Sequence, residues 1–149
     1  MKKFLLIIPI IIILILIWLL YPTEERKMKN DIMELKRAVE NESVENITKY
    51  IDPQYLDAAG MTHDEITELM LQFLAQVDLI KVQMSGLKLN IDSTNKENII
   101  FASCSLGLRV LARYEGERVL AYGGIVHPAS VRGLFRKAGQ SYRLYYAEY

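Results

Sequence analysis

The chain has one cysteine, Cys104, and two histidines, His63 and His127. A single cysteine excludes an internal disulfide, and two isolated histidines supply no cluster of thiolate or imidazole ligands at metal-binding spacing. No metal or cofactor is therefore expected. Gly-rich phosphate loops, activated-nucleophile signatures, internal repeats, low-complexity tracts and Gly/Ser linkers are also missing. Charge of one sign is lacking too, since 18 basic residues balance 18 acidic ones. That balance, without any recognition motif, argues against nucleic acid as a partner.

What the chain does have is a long apolar run. Residues 4–21, FLLIIPIIIILILIWLLY, carry no charge. As a helix rising ~1.5 Å per residue, they span roughly 27 Å, about the thickness of a bilayer's hydrocarbon core. Trp18 and Tyr21 fall where interfacial aromatics belong. The run follows Met1-Lys2-Lys3, as a secretory signal would, but ILIWLLYPTEERKM over residues 15–28 offers no small residue for cleavage. The reading is a retained signal anchor over residues 1–22 in a single-pass protein of the cytoplasmic membrane. The short leader stays inside, and residues 23–149 form one extracytoplasmic domain.

Charge within that domain is divided. Residues 22–98 carry 9 basic and 15 acidic side chains, whereas residues 99–149 carry 7 basic and 3 acidic, the basic ones mostly arginine. The first part reads as helical. Thr23 can cap a helix with Glu24 and Glu25 at its positive end, and Met28, Ile32, Leu35 and Val39 form one apolar stripe. Ser43 opens a short second helix carrying Val44, Ile47 and Ile51, which Asp52-Pro53 closes. Thr62-His63-Asp64-Glu65 has the form of a capping box, followed by the apolar face Ile66, Leu69, Met70, Phe73, Leu74 and Val77.

After Asp78 the period changes to two. Strands are expected over residues 81–92, with Gly86 at a bulge, and over residues 98–113, 118–127, 131–137 and 141–148. In the second of these, Ala102, Cys104, Leu106, Leu108 and Val110 share one face, and Arg109 and Arg113 the other. The fold class is therefore α+β: an anchor helix, then three helices packed on a curved antiparallel sheet.

The order of elements and the hairpin FRKAGQSYRL over residues 135–144 resemble the nuclear transport factor 2-like superfamily, of SnoaL-like or cystatin-like fold. Tyr142 stands where many members carry Trp. The resemblance covers residues 31–149 and implies a cone-like α+β roll, often dimeric through its sheet. It implies no single function, because members include isomerases, dehydratases and non-catalytic binding domains.

Two functional readings follow. An isomerase- or dehydratase-like enzyme, or a pocket for a small apolar ligand, would use the cone, with Asp52, Tyr55 and His127 as catalytic candidates at its mouth. Against catalysis, the inner face presents no carboxylate and reads as filled. Asp52 also sits where a short acid ordinarily caps or turns, and His127 precedes Pro128 at a strand end. The second reading is non-catalytic binding or scaffolding in protein–protein assembly. It places a homodimer or another protein on the outer sheet face through Arg109, Arg113, Tyr122, Arg132, Arg136, Arg143 and Tyr145, a composition typical of interfaces.

Overall fold

The computed structural model describes residues 10–13, 15, 23–137 and 139–149. The expected span over residues 4–21 thus lies largely outside the described residues. Those described within it, Ile10 to Ile13 and Ile15, are helical and exposed. Among the described residues no helix is long and apolar enough to cross a membrane.

Helix α1 (Glu24–Glu40) starts as its sequence dictates, with the Thr23 hydroxyl accepting from the Arg26 amide. Its stripe points inward: Met28 and Ile32 are buried, and Leu35 and Val39 pack against neighbouring clusters. Because Met28 is fully buried and Glu24 binds Lys137 and Tyr142, the folded unit reaches back to the first turn of α1, before residue 31. Helix α2 (Val44–Thr48) is one short turn, and α3 (His63–Leu74) carries the expected capping box. Glu65 there accepts from both the amide and the hydroxyl of Thr62 at 2.8 Å. Leu69, at the border of the apolar face of α3, is exposed, as is Leu71 outside that face.

The strands are β1 (Ile51–Asp57), β2 (Asp78–Thr94), β3 (Ile100–Tyr114), β4 (Glu117–Tyr122), β5 (Ala129–Lys137) and β6 (Tyr142–Glu148). They form one six-stranded sheet in the order β1-β6-β5-β3-β2, with β4 also paired to β3. Three expectations need correcting. The sheet is mixed, because β1 runs parallel to β6, pairing Ile51 with Leu144 and Asp57 with Ala147. Residues 51–57 are a strand and not the end of a helix. Pro53 is tolerated there because β1 is an edge strand, where a missing N–H costs no ladder bond. Finally, β4 stops at Tyr122, and residues 123–128 form a loop. Gly123 permits that exit: its φ is +86°, and a Cβ would sit 2.6 Å from the Leu108 carbonyl oxygen.

The bulge at Gly86 is present, with a register shift between Ser85 and Lys88. The hairpin of β5 and β6 pairs Phe135 with Leu144, Arg136 with Arg143 and Lys137 with Tyr142. Helix α1 lies across one face of this curved sheet. Met28 and Ile32 meet Ala102, Cys104, Phe135 and Tyr142 near its start, while Val39 reaches Ile80, Val82 and Ala112 near its end.

Candidate functional site

The middle of α1 does not close onto the sheet. Between them lies a cavity of ≈270 Å³, bordered by Ile32, Leu35, Lys36 and Val39 of α1 and Val82 and Met84 of β2. Its floor is Cys104, Leu106, Leu108 and Val110 of β3, Val131, Gly133 and Phe135 of β5, and Leu144 and Ala147 of β6. The inner face expected to be filled is therefore open. Leu106 and Leu108 are only half-buried because they line empty space instead of opposing side chains. Gly133 helps to keep it open. A Cβ there would stand 2.9 Å from the Phe135 ring and 3.0 Å from a Leu144 methyl.

Two functional groups border this wall. Burial pushes the Cys104 thiol up from its ordinary pKa, so it is a neutral thiol and a poor nucleophile. Lys36 sits at the rim, its ammonium 2.9 and 2.8 Å from the two oxygens of Glu40. Glu40 also accepts the Val82 amide at 2.9 Å, so the pair bridges α1 to the edge strand β2. Sequence reading missed this pair because Lys36 and Glu40 look like an ordinary solvent-side i,i+4 pair beside the apolar stripe. The available signal was that Lys36 directly follows the stripe residue Leu35.

The three catalytic candidates do not converge on the cavity. Asp52 is buried and held by Arg136, whose Nε and guanidinium NH₂ donate to its two oxygens at 2.6 and 2.5 Å. Burial alone would raise the Asp52 pKa, but the hydrogen bonds from Arg136 and the Gln54 amide outweigh it and bring it below the usual value. Tyr55 is buried among Ala38, Ile47, Ile51 and Ala147, and burial pushes its hydroxyl pKa up. His127 is exposed in the loop after β4. Ala129, beside that loop, lies seven residues along β5 from Arg136, on the order of 20 Å from the Asp52 pair. Asp57, at the end of β1, accepts the amides of Ala59 and Met61 and the Tyr149 hydroxyl. Both acids, Asp52 and Asp57, thus spend their oxygens on partners within the fold.

The outer-face residues have partners of their own. Arg109 donates to the carbonyls of Gly124 and Ile125 at 3.0 Å each, pinning the loop, and Arg113 forms a two-bond pair with Asp78. Arg136 is taken by Asp52, and Arg132 lies 4.0 Å from Glu148. Tyr145 packs edge-to-face on Phe101, and Tyr122 is half-buried. Arg143 and Arg118 are exposed to solvent. Much of the positive charge read from composition is thus already neutralised within the fold. Beside it, Ile125 and Val126 project from the pinned loop, 84% and 78% exposed.

The sequence matches no protein-family model and no curated protein. Its fold is similar to that of a protein assigned as a dehydratase of the NTF2-like family from Streptomyces avermitilis (TM-score 0.63, 10% identity, 84% of this chain and 94% of that one). It is also similar to one assigned as a scytalone dehydratase from Novosphingobium aromaticivorans (TM-score 0.61, 12% identity, 84% and 81%). A third likeness is to Pgp2, a helical cell shape determining protein from Campylobacter jejuni (TM-score 0.61, 12% identity); this chain spans only 38% of that protein's length, with 79% of its own residues covered. At such identities these likenesses establish an NTF2-like α+β fold and nothing about chemistry.

Proposed function

We propose that this chain is a single-pass membrane protein whose domain holds a small apolar molecule in the cavity between α1 and the sheet, without transforming it. One observation carries the reading: a ≈270 Å³ cavity walled by hydrocarbon. An engineered cavity of about 150 Å³ stays dry and takes benzene, so this one has room for roughly eleven carbon atoms. Proton-transfer chemistry needs a titratable group within reach of the ligand, and Asp52, Tyr55 and His127 lie elsewhere. Lys36 is engaged by Glu40 and serves the rim.

The test is calorimetric titration of the full chain in phosphatidylcholine nanodiscs with 1-octanol, empty nanodiscs being subtracted. Saturable binding of one molecule per chain is expected, and Val131→Phe, which fills the cavity, should weaken it at least about tenfold. Non-saturable uptake equal to that of empty discs overturns the reading. A second reading would then carry the function: protein assembly, as a homodimer or with another protein, on the outer face with Arg118, Arg143 and the exposed Ile125–Val126 tip.

The anchor belongs to the same proposal. It rests on the uncharged run of residues 4–21 and on Ile10 to Ile13 and Ile15, which are helical and exposed. The domain is placed outside the cytoplasmic membrane. Helix α1 begins at Glu24, three positions after the uncharged run ends at Tyr21 in the sequence. Protein recovered from the membrane fraction is expected to keep its full mass; a mature chain starting near Thr23 would show cleavage instead.

A further inference from the structure

We propose that the free edge of β2 is a dimerisation surface, on which the same strand of a second copy of this chain adds antiparallel about a two-fold axis at Asn90. The interface depends neither on the cavity nor on the arginine face. β2 has 17 residues, about three times the length of an ordinary strand, and among the described residues only β3 pairs with it. Its other side offers a row of N–H and C=O groups to an incoming strand. The opposite edge strand, β1, has seven residues and carries Pro53, which cannot donate to a ladder.

Helix α1 leaves the second half of this edge uncovered. Glu24 and Asp31 tie its first turns to Lys137 and Tyr142, on β5 and β6, and it reaches the β2 edge at its far end, where Glu40 accepts the Val82 amide. Residues 88–91 pair one-to-one with residues 105–102 of β3, and register shifts at Ser85–Lys88 and Ile91–Ser93 bound this regular stretch. Leu87, Leu89 and Ile91 are half-buried on its inner face, while Lys88, Asn90 and Asp92 are exposed on the outer one.

The stretch is complementary to itself. About an axis at Asn90, Lys88 faces Asp92 of the second copy and Asp92 faces its Lys88, giving two opposite-charge pairs; on the inner face Leu89 meets Ile91 twice. An axis at Leu89 or Ile91 loses both charge pairs, so charge selects the register. The groups are available for it. Lys88 has no hydrogen-bond or ion-pair partner among the described residues, and Asp92 spends only Oδ1, on Asn90 and Ser103.

The experiment uses the full chain in dodecylmaltoside micelles, with sedimentation velocity and oxidative cross-linking. Wild type is expected to be a dimer at micromolar concentration. Lys88→Glu should weaken it about tenfold, because two like-charge pairs replace two opposite ones; Asp92→Lys should do the same, and the double variant should return close to wild type. Asn90→Cys should cross-link chain to chain under copper phenanthroline, since directly opposed Cα atoms stand about 4.5 to 5.5 Å apart, within disulfide reach. Gln83→Cys, exposed on the same strand but far from the axis, should not, and the native Cys104 is buried. A monomeric wild type, or no cross-link at Asn90→Cys, overturns the proposal. So does a dimer that Lys88→Glu leaves unchanged, as one held by the anchor or the arginine face would be, and so does a double variant as weak as either single one.

Discussion

Arg136→Ala is expected to lower the unfolding free energy of the full chain by about 3 kcal/mol, the lower end of the cost of breaking a buried ion pair. The loss comes from what remains behind. Asp52 is 4% exposed, and without Arg136 its carboxylate keeps only the Gln54 amide at 2.8 Å. Arg136 is itself partly solvated, and this places the estimate at the lower end. Replacing both partners, as Asp52→Asn with Arg136→Met, should recover most of the loss, because a neutral pair of similar volume carries no uncompensated charge. Urea unfolding of wild type, Asp52→Asn, Arg136→Met and their double variant completes the cycle beside Arg136→Ala, and a cost of Arg136→Ala below about 0.5 kcal/mol would mean that the pair behaves as ordinary surface. The pH dependence has a definite sign. The folded Asp52 pKa is depressed, so the pair contributes fully above the unfolded carboxyl value and loses its contribution as pH falls through the folded one. Wild type and Arg136→Ala should therefore converge in stability in acid.

Tyr142→Ala is expected to cost more, about 3 to 5 kcal/mol, as truncation of a fully buried aromatic does. Tyr142 is 0% exposed and joins the hairpin to the first turns of α1. Its hydroxyl donates to Glu24 at 2.8 Å, and its amide donates to Asp31 at 2.8 Å. Tyr142→Phe keeps the ring and the amide and loses one bond to a charged acceptor, so roughly 1.5 kcal/mol is expected. It also leaves an acid signature. Burial would raise the Glu24 pKa, but hydrogen bonds from Lys137, Lys27 and Tyr142 overcome it and bring it down to about 2. Stability from this cluster is complete above the unfolded value near 4.5 and is lost as pH falls toward about 2. Removing the hydroxyl should raise the Glu24 pKa and shift acid unfolding upward in pH. Asp31 acts in the opposite direction, because burial raises its pKa and protonation relieves that cost. An unchanged acid limb in Tyr142→Phe would show that Lys137 and Lys27 alone hold Glu24.

The two variants also locate the edge of the folded unit. A fragment beginning at residue 31 would lose Glu24 and Met28, and with them the partner of Lys137 and one side of the core around Phe135. The family resemblance read from the sequence covers residues 31–149, but the contacts of the folded unit begin at Thr23 and Glu24.

The local elements were legible from the sequence because their causes are local. The stripe of Met28, Ile32, Leu35 and Val39 determines α1, Thr62 and Glu65 determine the start of α3, and alternation from Ala102 to Val110 determines which face of β3 meets the helices. Each signal is complete within a few residues of itself. Tertiary structure alone decided the rest. β1 became a strand because its parallel neighbour β6 lies some ninety residues further along the chain, and Asp52 and Arg136 are separated by 84 residues. The cavity had no sequence signature, since apolar side chains read the same whether they meet each other or line a void. Only the curvature of the sheet and the position of α1 across it leave Leu106, Leu108 and Val110 facing empty space, with Lys36 at its rim.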